Sequence, residues 1–543
     1  MGTHPTLDDA RRLCDAAGKL VEGALERARE ITDGGKRIDD HQVLVERVAY
    51  TATQARAASE LVAAAEQVGG GLDAALCAAS VADLARSLVS RLEPALDDLG
   101  LGDDALEAAF PADTRALLRS AGHESVFRAI GRRSCETRGR NDWPLDELHQ
   151  QVREAVREFG EKEVAPEAER IHRQDDLVPE SFIREMSELG YFGLSVPEAY
   201  GGFEMGNLAM ILTTEELSRA SLAAAGSLIT RPEILTKALL QGGTDEQKKV
   251  WLPRIASGEL MVAISVTEPD VGSDVASVKC RAERVTGAGG EGFVIHGPKS
   301  WCTFAGRADV LALLARTHPD PSLGARGLSL LIVEKDRFTG HAFEMRQPGG
   351  GRLLGKADAT PGYRGMHSFT LSFERWFVPA ANLVGGAQGE GRGFYLQMAG
   401  FAAGRLQTGG RACGLAQAAL ERSAEYVVDR KQFGEPILSF QLTQYKLGRM
   451  AAKLAAARAL TSAAARAMDE DERAAAPLAA QAKLYACDVA VEVAQEGQLL
   501  HGGWGYAEEY PISRYVVDAQ VLPIFEGVKP ILELKVVARN LLA

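Results

Sequence analysis

A single carboxylate stands out among the residues able to do chemistry. In LPIFEGVKP (522 to 530) Glu526 follows an apolar run and precedes a glycine. An apolar, tight setting desolvates a carboxylate and suits it to general-base work near neutrality, although a lone glutamate of this kind is more often half-exposed structure. Three other segments suit a ligand with phosphates and a planar ring. VTEPDVGSDVAS (266 to 277) reads as a strand entering a turn, where Gly272 and Ser273 offer backbone N–H groups and a hydroxyl to a phosphate. An ordinary polar turn has the same composition. KSWCTFAG (299 to 306) sets Trp301 and Thr303 two apart at a strand end and so on one side. There an indole face stacks on a ring and a hydroxyl donates to a ring nitrogen, though Trp301 alone also reads as a core aromatic. In DRKQFGEP (429 to 436) Arg430 has the planar fork to clamp a pyrophosphate, or else complements a helix C-terminus.

These residues need elements to hold them. From Met261 to about Val384 short runs rich in β-branched and aromatic residues, FVIHG (293 to 297), DVLALLA (309 to 315), LSLLIVE (328 to 334) and FTLSF (369 to 373), alternate with turns and predict an all-β unit. Helical spacing precedes it from Trp143 to about Glu259, broken by the loop Val196 to Gly202. It follows again at 414 to 431, 441 to 468 and 475 to 500. Residues 8 to about 130 repeat Leu13, Ala17, Leu20, Ala24, Ala28 and Ile31 at helical intervals, with breaks at Gly34-Gly35 and Gly69-Gly70-Gly71. GRRSCETRGRND (131 to 142) reads as a linker. The predicted fold is mainly α with a central all-β domain: a helical extension (1 to 135), a helical domain (143 to 260), a β domain (261 to 384) and a C-terminal helical domain (385 to 543).

The bulk numbers narrow the classes. A net charge of −13 over 543 residues argues against a nucleic-acid surface. Seven scattered cysteines with no CxxC spacing point to reduced thiols and no metal site. No uncharged apolar run reaches the roughly 18 residues that span a bilayer, and no signal peptide opens the chain, so a soluble cytoplasmic protein without a membrane partner is expected.

Taken in order, TEPDVGSD (267 to 274), WCT (301 to 303), GYRG (362 to 365), FVPAANLVG (377 to 385), RKQFG (430 to 434), HGGWGY (501 to 506) and IFEG (524 to 527) resemble the acyl-CoA dehydrogenase family from about Trp143 to the C-terminus. The resemblance implies a helical domain, a β-barrel or sandwich domain and a C-terminal four-helix bundle around FAD. Thr267, Trp301 and Thr303 would line the flavin ring. Ser273 would lie near the pyrophosphate and pantetheine. Arg430, Gln432 and Phe433, with the backbone at Gly502 and Gly503, would reach the FAD of a partner subunit in a homodimer or homotetramer. Glu526 would remove the α-proton of the acyl-CoA, and electron-transfer flavoprotein would take the electrons. Two departures are visible: Leu499, with Gln498 before it, stands where members carry Gln, and Val528, Lys529 and Pro530 follow the base.

Within the family, the extension and the segments 215 to 234 and 349 to 366 are similar to the methylsuccinyl-CoA dehydrogenase group. That implies a branched or carboxylated short acyl substrate such as (2S)-methylsuccinyl-CoA, oxidised to mesaconyl-CoA. A carboxylate buried with the acyl chain needs a cation. Arg219, on the helix from which glutaryl-CoA dehydrogenase presents an arginine, is the first choice. Arg231 and Arg364 come next, and Arg405 is a further substrate-binding expectation. A dehydrogenase or oxidase for another short or branched acyl-CoA is the alternative, and a non-catalytic DNA-binding relative a minor one.

Overall fold

A computed structural model describes residues 5–68, 73–140, 143–287 and 290–543. The expected break at Gly69, Gly70 and Gly71 lies outside them. The chain forms two compact units, residues 1–152 with 408–543, and residues 153–407. The extension shares a unit with 408–543, while 385–407 of the predicted C-terminal domain falls in the second unit and 143–152 of the predicted helical domain in the first.

In the first unit, helix Leu7–Ile31 opens on a capping box, Thr6 accepting from Asp9 N and Asp9 accepting from Thr6 N. The predicted stripe Leu13, Ala17, Leu20, Ala24 and Ala28 is buried. Gly34 and Gly35, both at positive φ, turn the chain toward helix Gln42–Gln67. The helices of the extension then share one core with the C-terminus: Leu20, Val45, Leu88 and Leu99 pack in the same cluster as Leu484, Leu532, Val537 and Leu542.

One segment departs from expectation. Residues 131 to 136 belong to helix Glu124–Glu136 instead of a linker. Gly131 is there for contact, because a Cβ on it would lie 1.9 Å from Gln444 O. On the facing helix Gln441–Glu470 a Cβ on Gly448 would lie 1.9 Å from Phe127 O. Two glycines therefore let the backbones of these helices touch, and Arg128 and Arg132 donate to Gln444 Oε1 beside the crossing. Helix Gly393–Asp429 from Thr408 onward, helices Glu472–His501 and Ile512–Ala519, and the helical segments from Lys529 to Leu542 complete the unit.

In the second unit the strands are β1 (Val262–Ser265), β2 (Arg281–Gly287), β3 (Gly290–Thr303), β4 (Val310–Arg316), β5 (Leu328–Glu334), β6 (Ala342–Arg346), β7 (Arg352–Ala357) and β8 (Ser368–Pro379). They form one sheet in the order β1-β4-β2-β3-β8-β7-β6, with β5 paired to β4. Val310 to Ala315 of β4 and Leu328 to Val333 of β5, apolar but for Ser329, are all buried. Leu235, Leu239, Trp251, Leu252 and Ile255 of helices Thr230–Gly242 and Asp245–Ala256 pack with Val262 of β1, Val310 and Ala312 of β4, and Leu330 and Ile332 of β5. This core fixes the end of β1, from which the Thr267 turn departs. No described helix is long and apolar enough to cross a membrane. All seven cysteines are free thiols.

The backbone contact at Gly131 gives a stability test. Gly131→Val should lower stability by about 2 kcal/mol or more, because carbonyl and helix backbone cannot yield as a side chain does. Gly18, with nothing within 4 Å of its Cβ position, should tolerate Ala with a gain of up to about 1 kcal/mol. Thermal or urea unfolding of both variants reads the contrast, and a neutral Gly131→Val contradicts the crossing.

Candidate active site

In the sheet unit, one buried ion pair organises the predicted ring-binding residues. Lys299 is fully buried at the end of β3. Its ammonium donates to Glu268 Oε1 at 3.0 Å and to Val266 O at 2.8 Å, while Glu268 also accepts from Lys279 N and Cys280 N. Ser300 N donates to Thr267 O, and the turn folds back so that a Cβ on Gly272 would meet the Thr267 methyl at 3.9 Å. The Thr267 turn, which carries Ser273, is thereby held against Ser300, next to Trp301 on β3. Regular alternation is not what aims Trp301. β3 carries an extra residue between Lys299, opposite Leu371, and Cys302, opposite Phe369. Within this bulge Trp301 takes φ 58° and stays 59% exposed. Thr303 Oγ1 lies 2.9 Å from Ser368 Oγ.

The arginine candidates separate by their partners. Arg219 donates to Glu216 Oε2 at 3.0 Å and to Glu161 at 2.6 Å, in a cluster where Arg153 and Arg157 also bind Glu216. Burial alone would raise the Glu216 carboxyl. The hydrogen bond and charge of Arg157, with Arg153 and Arg219, instead bring it down to about 2. Arg219, the first choice from sequence, is thus committed to the protein's own carboxylates. Arg364 donates to Thr360 O and His172 O and lies 3.6 Å from Asp175. Arg231 differs: it is 5% exposed and donates to Ser227 O at 2.9 Å and Tyr363 OH at 3.0 Å, both neutral. Arg405 is half-buried on helix Gly393–Asp429.

Asp175, His341 and His367 are the one group of metal-ligand types among the described residues, with ligand atoms within 4.8 Å. His367 Nε2 sits 3.1 Å from His341 Nε2 and 3.2 Å from Asp175 Oδ1. Hydrogen bonding accounts for these contacts, and Arg364 already sets a positive charge beside Asp175.

In the helical unit, Glu526 is half-buried with φ 54° and is followed by Gly527 at φ 103°. Lys483, 1% exposed in helix Glu472–His501, donates to Gly527 O at 2.6 Å. The guanidinium of fully buried Arg411 lies 4.7 Å from the Phe525 ring centroid. Lys529 donates to Asp488 Oδ2 at 2.6 Å. Of these supports only Lys529 was noted from sequence, as a departure after the base. The signal was there in Lys483, a lone cation in the Ala-rich run LAAQAKLYA.

Arg430, Gln432 and Phe433 form a hairpin, Lys431–Gln432 pairing Glu435–Pro436. Its two turn residues, Phe433 (φ 52°) and Gly434 (φ 86°), make a type I′ turn that leaves Phe433 94% exposed. The Tyr426 ring stacks on His501 at 4.1 Å, and its hydroxyl donates to His501 O, which brings the base of this hairpin beside Gly502. Gly502 (φ 60°, ψ −137°) holds a conformation open essentially to glycine alone, and a Cβ on Gly502 or Gly503 meets nothing within 4 Å. Gln498 turns inward and donates to Gly505 O, while Leu499 faces outward.

Family models of the acyl-CoA dehydrogenase N-terminal, middle and C-terminal domains match residues 146–259, 263–376 and 391–542. The chain belongs to the acyl-CoA dehydrogenase family. (2S)-Methylsuccinyl-CoA dehydrogenase of Cereibacter sphaeroides is 35% identical over 566 aligned residues, covering 100% of each chain. The structure of butyryl-CoA dehydrogenase from Megasphaera elsdenii gives a TM-score of 0.67 at 30% identity, covering 74% of this chain and 100% of that one. A glutaryl-CoA dehydrogenase from Mycobacterium smegmatis in complex with FADH2 gives 0.62 at 25% identity, covering 72% and 93%.

Acyl-CoA dehydrogenases use FAD, and the residues present fit it. Trp301 holds an exposed indole on a strained bulge, Phe433 projects from a left-handed turn, and Gly502 and Gly503 leave room for a close approach.

A titration test follows from the base loop. Glu533 is buried, and burial raises its carboxyl to about 7 although Lys529, 3.9 Å away, pulls it down. An unfolded glutamate titrates near 4.3, so between about 4 and 7 the folded state keeps a proton that the unfolded chain has released, and stability falls as pH rises through that window. Glu533→Gln should therefore be more stable than the parent at pH 8, by on the order of 1–3 kcal/mol, with the gain shrinking toward pH 5. Denaturant titrations at both pH values measure it. A pH-independent difference contradicts the assignment.

Proposed function

We propose that this acyl-CoA dehydrogenase oxidises a short acyl-CoA bearing a second carboxylate, (2S)-methylsuccinyl-CoA giving mesaconyl-CoA, with Glu526 as base. The observation that carries the substrate class is Arg231. Its buried guanidinium donates to a carbonyl and a phenol, no carboxylate pairs with it among the described residues, and an anionic group on the substrate would complete it. Identity to a methylsuccinyl-CoA dehydrogenase along the whole chain, extension included, supports the same choice.

In this mechanism the Glu526 carboxylate takes the α-proton of the thioester. FAD, when bound, supplies the acceptor for the hydride leaving the β-carbon. Trp301 and Thr303 hold the ring, Thr267 and Ser273 line the adjoining turn, and Arg231 with Tyr363 orients the distal carboxylate. The Glu526 backbone N–H serves as a donor to the thioester carbonyl, whose charge grows as the proton leaves.

Helix geometry bears on assembly. Lys483 and Gly502 are 19 positions apart on one helix, about 28 Å at 1.5 Å per residue. Glu526 and the Arg430 hairpin are therefore assigned to two different flavins, the hairpin with Gln432 and Phe433 serving a second copy of the chain in a homo-oligomer. Electron-transfer flavoprotein is the proposed electron acceptor.

Glu526→Gln should keep its yellow colour and lose at least about a hundredfold in turnover. Near-normal turnover would place the base elsewhere. Methylsuccinyl-CoA should be preferred over 2-methylbutyryl-CoA by wild type. Arg231→Met should lose at least about tenfold of that preference in kcat/KM, and a wild type that prefers the uncharged analogue refutes the dicarboxylate.

A further inference from the structure

We propose that the N-terminal extension is a positioning element for the Glu526 loop, acting through Tyr50. The inference rests on Glu526 being the base, and its physical core is a carboxylate shared by two donors. Asp488 Oδ2 accepts from Lys529 Nζ at 2.6 Å and from Tyr50 OH at 2.5 Å. Lys529 lies three residues beyond Glu526, where helix Lys529–Ile531 starts, and Tyr50 is buried on helix Gln42–Gln67 of the extension. The Lys529 ammonium also lies 4.9 Å from the Tyr50 ring centroid, and Arg91, from the next helix of the extension, lies 4.1 Å from the same centroid. Arg91 is itself anchored by Glu46. Burial holds the Tyr50 phenol well above its ordinary value, so its hydroxyl remains a donor.

Removing the Tyr50 hydroxyl leaves Asp488 with one fewer donor and frees it to turn away from Lys529. The loop then keeps one of its two lysine anchors, Lys483 on Gly527 O. That matters because Glu526 sits at φ 54°, a region that side-chain-bearing residues leave when nothing holds them. Loosening the anchor lets the carboxylate drift from the substrate α-carbon. Tyr50 lies outside the segment 146–542 matched by the family models, whereas Asp488 and Lys529 lie inside it. The departure Val528-Lys529-Pro530 after the base thus has a use: it supplies the ammonium that reaches the extension.

The test compares full-length, FAD-loaded wild type with Tyr50→Phe, Lys529→Met and Lys529→Arg. Tyr50→Phe and Lys529→Met should lose about ten- to hundredfold in kcat per bound flavin with KM changed less than about twofold, and the isotope effect from α-deuterated substrate should rise. Amide hydrogen exchange in peptides covering 523 to 531 should quicken about tenfold in both variants, while Lys529→Arg stays near wild type in kcat and exchange. A Tyr50→Phe enzyme that loses thermal stability alone, with unchanged kcat and unchanged exchange in 523 to 531, overturns the proposal. So does quickened exchange with unchanged kcat. If Glu526→Gln proves active, the base assignment fails separately, and exchange in 523 to 531 still reports whether Tyr50 holds the loop.

Discussion

Glu526 stands in left-handed backbone, and a side-chain-bearing residue there costs roughly 1–2 kcal/mol unless its surroundings leave no alternative. Much of the helical unit follows from keeping that loop in place. Its carbonyl at Gly527 must meet a donor inside a core of small side chains, and Lys483 is that donor. The alanines around Lys483 on helix Glu472–His501 let neighbouring helices close tightly over the lysine stem, so the ammonium has a fixed position. The sheet unit uses the same device: Trp301, also left-handed, is preceded by fully buried Lys299, whose ammonium holds Val266 O and Glu268. In each unit a residue in left-handed backbone sits beside a buried lysine gripping a backbone carbonyl.

The charge distribution sorts the arginines by the same logic. Arg219 lies among Glu216 and Glu161, and with Arg153 and Arg157 it ties three helical segments of the sheet unit together. Its charge is consumed in structure. Arg231 instead donates to a carbonyl and a phenol, and no carboxylate pairs with it among the described residues. Sequence position favoured Arg219, since both arginines look alike until the carboxylates that surround one and not the other are seen in space.

Periodicity carried most of the architecture. Alternation of apolar runs and turns located β4, β5 and parts of β3 and β8, and helical spacing located the buried stripe from Leu13 to Ala28. Local composition failed at Gly131, where glycine and arginine suggested a linker. The glycine serves a helix crossing whose partner, Gly448, lies far along the chain. The candidate motifs at Thr267, Trp301, Arg430 and Glu526 could be singled out because each joins unusual residue types in a short span. Lys299, Asp488 and Tyr50 could not, because their work depends on contacts between residues distant in sequence. The bulge at Trp301 was equally hidden, being set by the register of β3 against β8.

The helical unit is built from two stretches of chain with the whole sheet unit encoded between them. During synthesis the extension emerges first, and Leu20, Val45 and Leu88 belong to a core completed by Leu532, Val537 and Leu542. Translation of the roughly 380 residues between Val152 and Leu532 takes on the order of 20 to 80 s. Throughout that time the nascent extension carries an apolar face whose native cover does not yet exist. The length of that exposure is set by the order of the segments along the chain, and an order in which 408–543 directly followed 1–152 would shorten it.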